Sequence, residues 1–227
     1  MKSIKELYKI GNGPSSSHTM GPKKAALLLK EKYPTADLYK IILYGSLAFT
    51  GKGHLTDKII LEALKPSNVE IIFNKEIKQL KHPNTMDLIA LKNEEELGKF
   101  RAYSIGGGSI QIEGENFQEE KDIYDFTTYT DIKNNCKEKN ISLLEYVYTQ
   151  EDKDLNEYLK KVWQSMKKTL EEGLEQEGLI PGKLKIPKKA KTLYSKELEN
   201  ETVDLKRTKL LTAYAYATSE QNASGGM

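Results

Sequence analysis

Tyr39-Lys40-Ile41-Ile42-Leu43-Tyr44 is a short apolar run that stops at Gly45, and its reading decides the fold. Six residues of this composition bounded by a glycine predict a strand. On its amino-terminal side, Gly21-Pro22 leads into 23–32, which carries Ala25, Ala26, Leu27, Leu28 and Leu29. Proline in a first helical turn forfeits no needed hydrogen bond, so a helix is expected from there. On the other side, Asp57 is placed to cap a helix through Leu64, closed by Pro66. Further strands are expected at 69–73, 86–91 and 99–105, and Gly106-Gly107-Gly108 allows a tight turn into 109–113. Strands and helices mixed over short links indicate an α+β domain.

Beyond it, 114–122 is polar and charged and reads as an exposed loop. The pattern then turns helical. Cys136 lies in a charged helical stretch, and Ser142 followed by Glu145 forms a capping box for a helix through Tyr148. Leu155, Leu159, Val162, Trp163, Met166, Leu170 and Leu174 fall on one helical face, so Trp163 is expected in a core or between domains. Gly178 and Pro181-Gly182 end that helix, 183–191 is basic and reads as extended, and a last helix is expected over 203–220. The expected division is a mixed α/β-sheet domain over 1–150, followed by the first helices of an all-α domain over 151–227.

Composition narrows the function classes. The chain has 227 residues, with 35 Lys plus Arg against 33 Asp plus Glu, a net charge of +2. That balance provides no basic excess to neutralise nucleic-acid phosphates. A single cysteine, Cys136, excludes an internal disulfide and a zinc site built on cysteines. The start, Met1-Lys2-Ser3-Ile4-Lys5-Glu6-Leu7, has no apolar signal core, and no run approaches the ~18 apolar residues of a membrane span. A soluble protein of the reducing cytoplasm is the expectation.

Two segments carry chemistry. In Gly11-Asn12-Gly13-Pro14-Ser15-Ser16-Ser17-His18-Thr19-Met20-Gly21-Pro22, hydroxyls and an imidazole precede a helix. Free N–H groups and hydroxyls there suit a carboxylate or phosphate; a serine-rich helix cap is the alternative. In Gly45-Ser46-Leu47-Ala48-Phe49-Thr50-Gly51-Lys52-Gly53-His54, the spacing fails the G-x-x-x-x-G-K-[ST] phosphate loop, since five residues separate Gly45 from Gly51. Lys52 and His54 instead place a cation and a proton-transfer group on one loop, against the alternative of an exposed loop histidine. His82-Pro83-Asn84 reads as a turn, and Tyr103-Ser104-Ile105-Gly106-Gly107-Gly108 as a glycine turn between strands.

GNGPSSSHTMGP (11–22), LYGSLAFTGKGHLTD (43–57), HPNTM (82–86), YSIGGG (103–108), EEGLEQEGLIPGKLK (171–185) and SEQNASGGM (219–227) together resemble the bacterial iron–sulfur L-serine dehydratases, the L-serine ammonia-lyases of amino-acid catabolism and gluconeogenesis. The resemblance implies an α+β amino-terminal β domain and a helical catalytic α domain of which 151–227 is the start. It implies a 4Fe–4S cluster held by cysteines of that α domain, no pyridoxal phosphate, and elimination of L-serine to pyruvate and ammonia. Carried over to this chain, His18 and His54 are the proton-transfer candidates, with His54 preferred as base. Ser15, Ser16, Ser17, Thr19, Thr50 and Lys52 would handle substrate, as would Asn222, Ser224 and Gly225 at the opening of a cluster-proximal segment; Asn84 falls in a family motif without a role. Cys136 does not match the cluster cysteines, so no metal ligand is assigned here, and the chain alone is expected to hold no cluster and be inactive. Partners implied are L-serine, the remaining catalytic-domain polypeptide and, as an open arrangement, a second copy in a homodimer; no nucleic acid and no membrane are expected. The alternative function is a non-catalytic module that binds serine or another small anion, or phosphate through Gly51-Lys52-Gly53.

Overall fold

A computed structural model describes residues 1–76, 80–115, 122–182, 184–195 and 202–226. In chain order the elements are α1 (Ile4–Leu7), α2 (Met20–Lys32), β1 (Leu38–Leu43), α3 (Gly45–Thr50), α4 (Thr56–Leu64), β2 (Asn68–Phe73), β3 (Thr85–Lys92), β4 (Glu95–Gly106), β5 (Ser109–Ile112), α5 (Tyr129–Glu138), α6 (Leu143–Gln150), α7 (Leu155–Glu175), α8 (Ala190–Ser195) and α9 (Val203–Ala223). They form an α+β protein whose contacts divide it into two units, one of 1–10 with 118–167 and one of 11–117 with 168–227.

The larger unit is built on a sheet of order β2-β1-β3-β4-β5, in which β1 and β2 are parallel and the other neighbours antiparallel. The apolar run at 39–44 falls, but for Tyr44, in β1, an interior strand between β2 and β3. Alternate residues of a strand point to opposite faces, so Tyr39, Ile41 and Leu43 are buried while Lys40 and Ile42 stay half-covered. Met86, Leu88 and Ala90 of β3 and Ala102 of β4 continue the buried face, and Ala25, Ala26 and Leu29 of α2 with Ile60 and Leu64 of α4 close over it. Each large aliphatic side chain so buried contributes about 1.5–3 kcal/mol. On the opposite face, Arg101 makes a two-pronged pair with Asp87 (2.6 and 2.8 Å), whose carboxylate also accepts from the Tyr44 hydroxyl at 2.9 Å.

Three expectations change in this unit. Residues 45–50 form a short helix, α3, which takes up half of the crossover from β1 to α4 and leaves Lys52 and His54 in the turn after it. Asp57 does not cap α4: Leu55 does, in the left-handed conformation (φ 62°), and Asp57 sits in the first turn. The basic stretch is not simply extended. Ile180 donates to Ile186 at 2.8 Å and Lys188 to Gly178 at 2.9 Å, pairing 186–188 with 178–180, and α8 starts at Ala190. That start is held by Glu220 of α9, a buried carboxylate accepting from the backbone N–H of Lys189 (2.6 Å) and Ala190 (3.3 Å). The loop expected over 114–122 lies mostly outside the described residues.

The smaller unit is helical. Glu151 accepts from the Ser3 hydroxyl (2.6 Å), the Ile4 N–H (2.7 Å) and the Tyr124 hydroxyl (2.7 Å), and so ties α1 to the end of α6. Lys5 adds ion pairs to Asp152, at 3.2 Å, and to Asp154. The capping box of Ser142 and Glu145 forms as read. Trp163 departs from expectation: Leu155 and Val162 are buried, but Trp163 is 61% exposed and Met166 54%. Helical spacing defines an apolar stripe without saying what covers it.

Candidate functional site

The site lies in the larger unit, where the loop before α2 meets the α3–α4 connection. The loop is shaped by its own polar groups. Thr19 is fully buried, and its hydroxyl is shared between the carbonyls of Asn12 (2.5 Å) and Ser15 (2.7 Å). Its role here is to hold the loop closed. Ser15 (3.2 Å) and Ser17 (3.1 Å) both reach Nδ1 of His18. Ser16 is half-buried, and its hydroxyl has no hydrogen bond among the described residues.

His18 is buried, and its Nε2 meets two hydroxyls of α3, Thr50 at 2.9 Å and Ser46 at 3.2 Å. Its ring centroid is 4.5 Å from that of His54, tilted by 42°. The structure therefore brings together the two imidazoles that the sequence separates by three dozen positions. Burial, and then the neighbouring His54, hold His18 below the ordinary histidine value, against a smaller upward pull from Ser46. His54 ends the turn after α3, with Nδ1 3.2 Å from the Thr50 carbonyl.

His54 and Thr50 open onto a cavity of about 860 Å³. Phe49, Phe73, Leu184 and Ile186 give it apolar walls, Lys52, Lys75 and Lys185 bring three cations, and no carboxylate lines it among the described residues. Lys52 itself lies over the Phe73 ring, 5.2 Å from its centroid.

The end of α9 completes the loop. Gly13 donates to the Gly226 carbonyl at 2.9 Å and Asn12 Nδ2 to the Gly225 carbonyl at 3.1 Å. A Cβ on Gly13 would lie 2.3 Å from the Asn222 carbonyl oxygen, so only glycine permits this approach. Gly225 turns the chain with φ 87°, and the Ser224 hydroxyl is used on the Glu220 carbonyl at 2.7 Å. Asn222 is exposed, and Ala223 borders the cavity with Pro14. Asn84 and His82 form a turn: His82 Nδ1 accepts from the Asn84 N–H at 3.0 Å, Asn84 Nδ2 donates to the Ser104 carbonyl at 3.3 Å, and the Pro83 carbonyl between them accepts from the Ser46 N–H at 2.8 Å.

Ser46, Asn12, Lys75 and Lys185 were not singled out by sequence. Ser46 precedes Thr50 by one helical turn, so the two hydroxyls fall on one face only once α3 is known to be helical.

A pair of imidazoles among hydroxyls thus lies beside a cation-rimmed cavity on an α+β scaffold. The family model described as serine dehydratase beta chain matches residues 3–70, and that described as serine dehydratase alpha chain matches 69–227. The chain belongs to the serine dehydratase family. It is similar to an L-serine dehydratase of Haemophilus influenzae, with 30% identity over 281 residues covering 100% of this chain and 62% of the relative. L-serine dehydratase 1 of Escherichia coli gives the same identity and coverage. An L-serine dehydratase of Helicobacter pylori strain J99 is 30% identical over 99% of this chain and 61% of its own length. The chain thus spans about three fifths of the curated relatives it matches.

The residues present do not fit an iron–sulfur cluster. The sequence has one cysteine, Cys136 in α5 of the smaller unit, and no group of three or more His, Cys, Asp or Glu able to hold a metal ion occurs among the described residues. No described helix is long and apolar enough to cross a membrane.

Proposed function

We propose that this chain supplies the substrate-handling part of an L-serine ammonia-lyase, which eliminates water from L-serine to give 2-aminoacrylate; tautomerisation and hydrolysis then yield pyruvate and ammonia. The observation that carries the reading is the His18–His54 pair, 4.5 Å apart, with His54 opening onto the cavity. His54 acts as the base that takes the α-proton, and buried His18 supports it from behind. Lys52 balances the substrate carboxylate, whose negative charge favours a cation in a partly desolvated site. Thr50 lines the cavity, Ser15 and Ser17 hold His18 from its Nδ1 side, Ser16 lies between them, and Thr19 with Asn222, Ser224 and Gly225 keeps the loop in place. The 4Fe–4S cluster of the family resemblance would have to be ligated by further polypeptide, so no step is derived through it. We place the protein in the cytoplasm on its lone, unpaired cysteine.

The test is an anaerobic assay of pyruvate formation from L-serine by the chain assembled with the remaining catalytic polypeptide. His54→Ala should abolish turnover while leaving visible cluster absorption intact; near-normal turnover would reject His54 as base. A second reading, a non-catalytic module for small anions, is favoured by the three lysines around the cavity. Calorimetric titration of the isolated chain with L-serine and with inorganic phosphate separates the two ligands.

A further inference from the structure

Thr50 touches both imidazoles, through different atoms. Its hydroxyl lies 2.8 Å from the Ser46 carbonyl and 2.9 Å from His18 Nε2, and its carbonyl lies 3.2 Å from His54 Nδ1. A hydroxyl has one proton, and a carbonyl can only accept. With the Thr50 proton on the Ser46 carbonyl, the same oxygen accepts towards His18, as the Ser46 hydroxyl at 3.2 Å is also able to, and the His18 proton is placed on Nε2. His18 Nδ1 is then free to accept from Ser15 or Ser17, both within 3.2 Å. Equally, the Thr50 carbonyl requires a proton on His54 Nδ1. That leaves His54 Nε2 as an unprotonated nitrogen.

We propose that Thr50 is the positioning residue of the pair, fixing His18 as the Nε2–H tautomer with its hydroxyl and His54 as the Nδ1–H tautomer with its carbonyl. The inference rests on the reading of His54 as base, and it adds which nitrogen is the base and what holds it so. It also gives the Thr50 hydroxyl a task other than binding substrate, since both its donor and one acceptor site are already engaged.

The chain has three histidines, so nitrogen-15 spectra of the imidazoles assign readily. At a pH where all three are neutral, His54 is expected to show its proton on Nδ1 and His18 on Nε2. His82 serves as a reference, its Nδ1 accepting from Asn84. Thr50→Val keeps the carbonyl and removes the hydroxyl: His54 should be unchanged, and His18, left at Nε2 with only the more distant Ser46 hydroxyl at 3.2 Å, should lose its single tautomer. Thr50→Ser should restore it. A His54 proton on Nε2 in the wild-type chain would overturn the proposal without any variant, as would an unaltered His18 in folded Thr50→Val. The readout needs no turnover, so its failure leaves the lyase reading standing, and failure of the pyruvate assay leaves the tautomers standing.

Discussion

His18 is the most constrained titratable group of the site. Burial first, and His54 second, favour its neutral form. A histidine whose folded value is depressed contributes stability that is complete above its unfolded value of about 6.5 and is lost as pH falls towards the folded one. Replacing His54 by alanine removes the second cause and keeps the first. In His54→Ala, His18 should titrate at higher pH than in the wild type yet still below the ordinary value, as proton NMR of the ring would show; an unmoved His18 would contradict the pairing. Both histidines were legible in sequence because each sits in a segment dense with chemistry. Ser46 was not, because a serine beside a glycine signals nothing until a helix turns it onto the same face as Thr50.

Between elements, the contacts that matter are those that bring distant segments together. The loop at 11–14 and the end of α9 meet where Gly13 has no side chain. Gly13→Ala forces a carbon to within 2.3 Å of a carbonyl oxygen and should destabilise the larger unit by about 1–3 kcal/mol in chemical denaturation. In the smaller unit, burial raises the Glu151 carboxyl, but hydrogen bonds from Ser3, Tyr124 and the Ile4 backbone outweigh it and leave the group below its usual value. Its contribution is therefore present above about pH 4.5 and fades as pH falls through the depressed folded value. Glu151→Ala leaves the Ile4 N–H and two hydroxyls without their acceptor, at a cost of about 1–3 kcal/mol near neutral pH, and the loss should shrink under acid. The strands and the long helix α7 were readable because their apolar patterns are strong. The helix α3 was not, since six residues beginning in glycine and ending in threonine have little helical preference of their own. Trp163 misled for another reason: periodicity reports which residues share a face, and burial depends on what that face meets.

At the scale of the whole chain, an α+β scaffold carries the imidazole pair and a cation-rimmed cavity, while the cysteines that the family resemblance requires are not among its residues. The isolated chain is accordingly expected to form no pyruvate from L-serine and to show no iron–sulfur absorption after anaerobic reconstitution; either signal would refute the division of labour proposed above. The fold class followed from sequence because a strand with alternating burial and its flanking helices is a local pattern. The union of the first loop with the last helix did not, because Asn12 and Gly225 are 213 positions apart and nothing local announces their hydrogen bond.

That bond sets an order of events during synthesis. The sheet and its two covering helices can assemble while the chain is still emerging from the ribosome. The hydroxyl-bearing loop cannot take up its final form until 222–226 arrive, more than 200 residues after it. A nascent chain would thus carry a finished scaffold with an unfinished pocket until translation had passed the tip of α9.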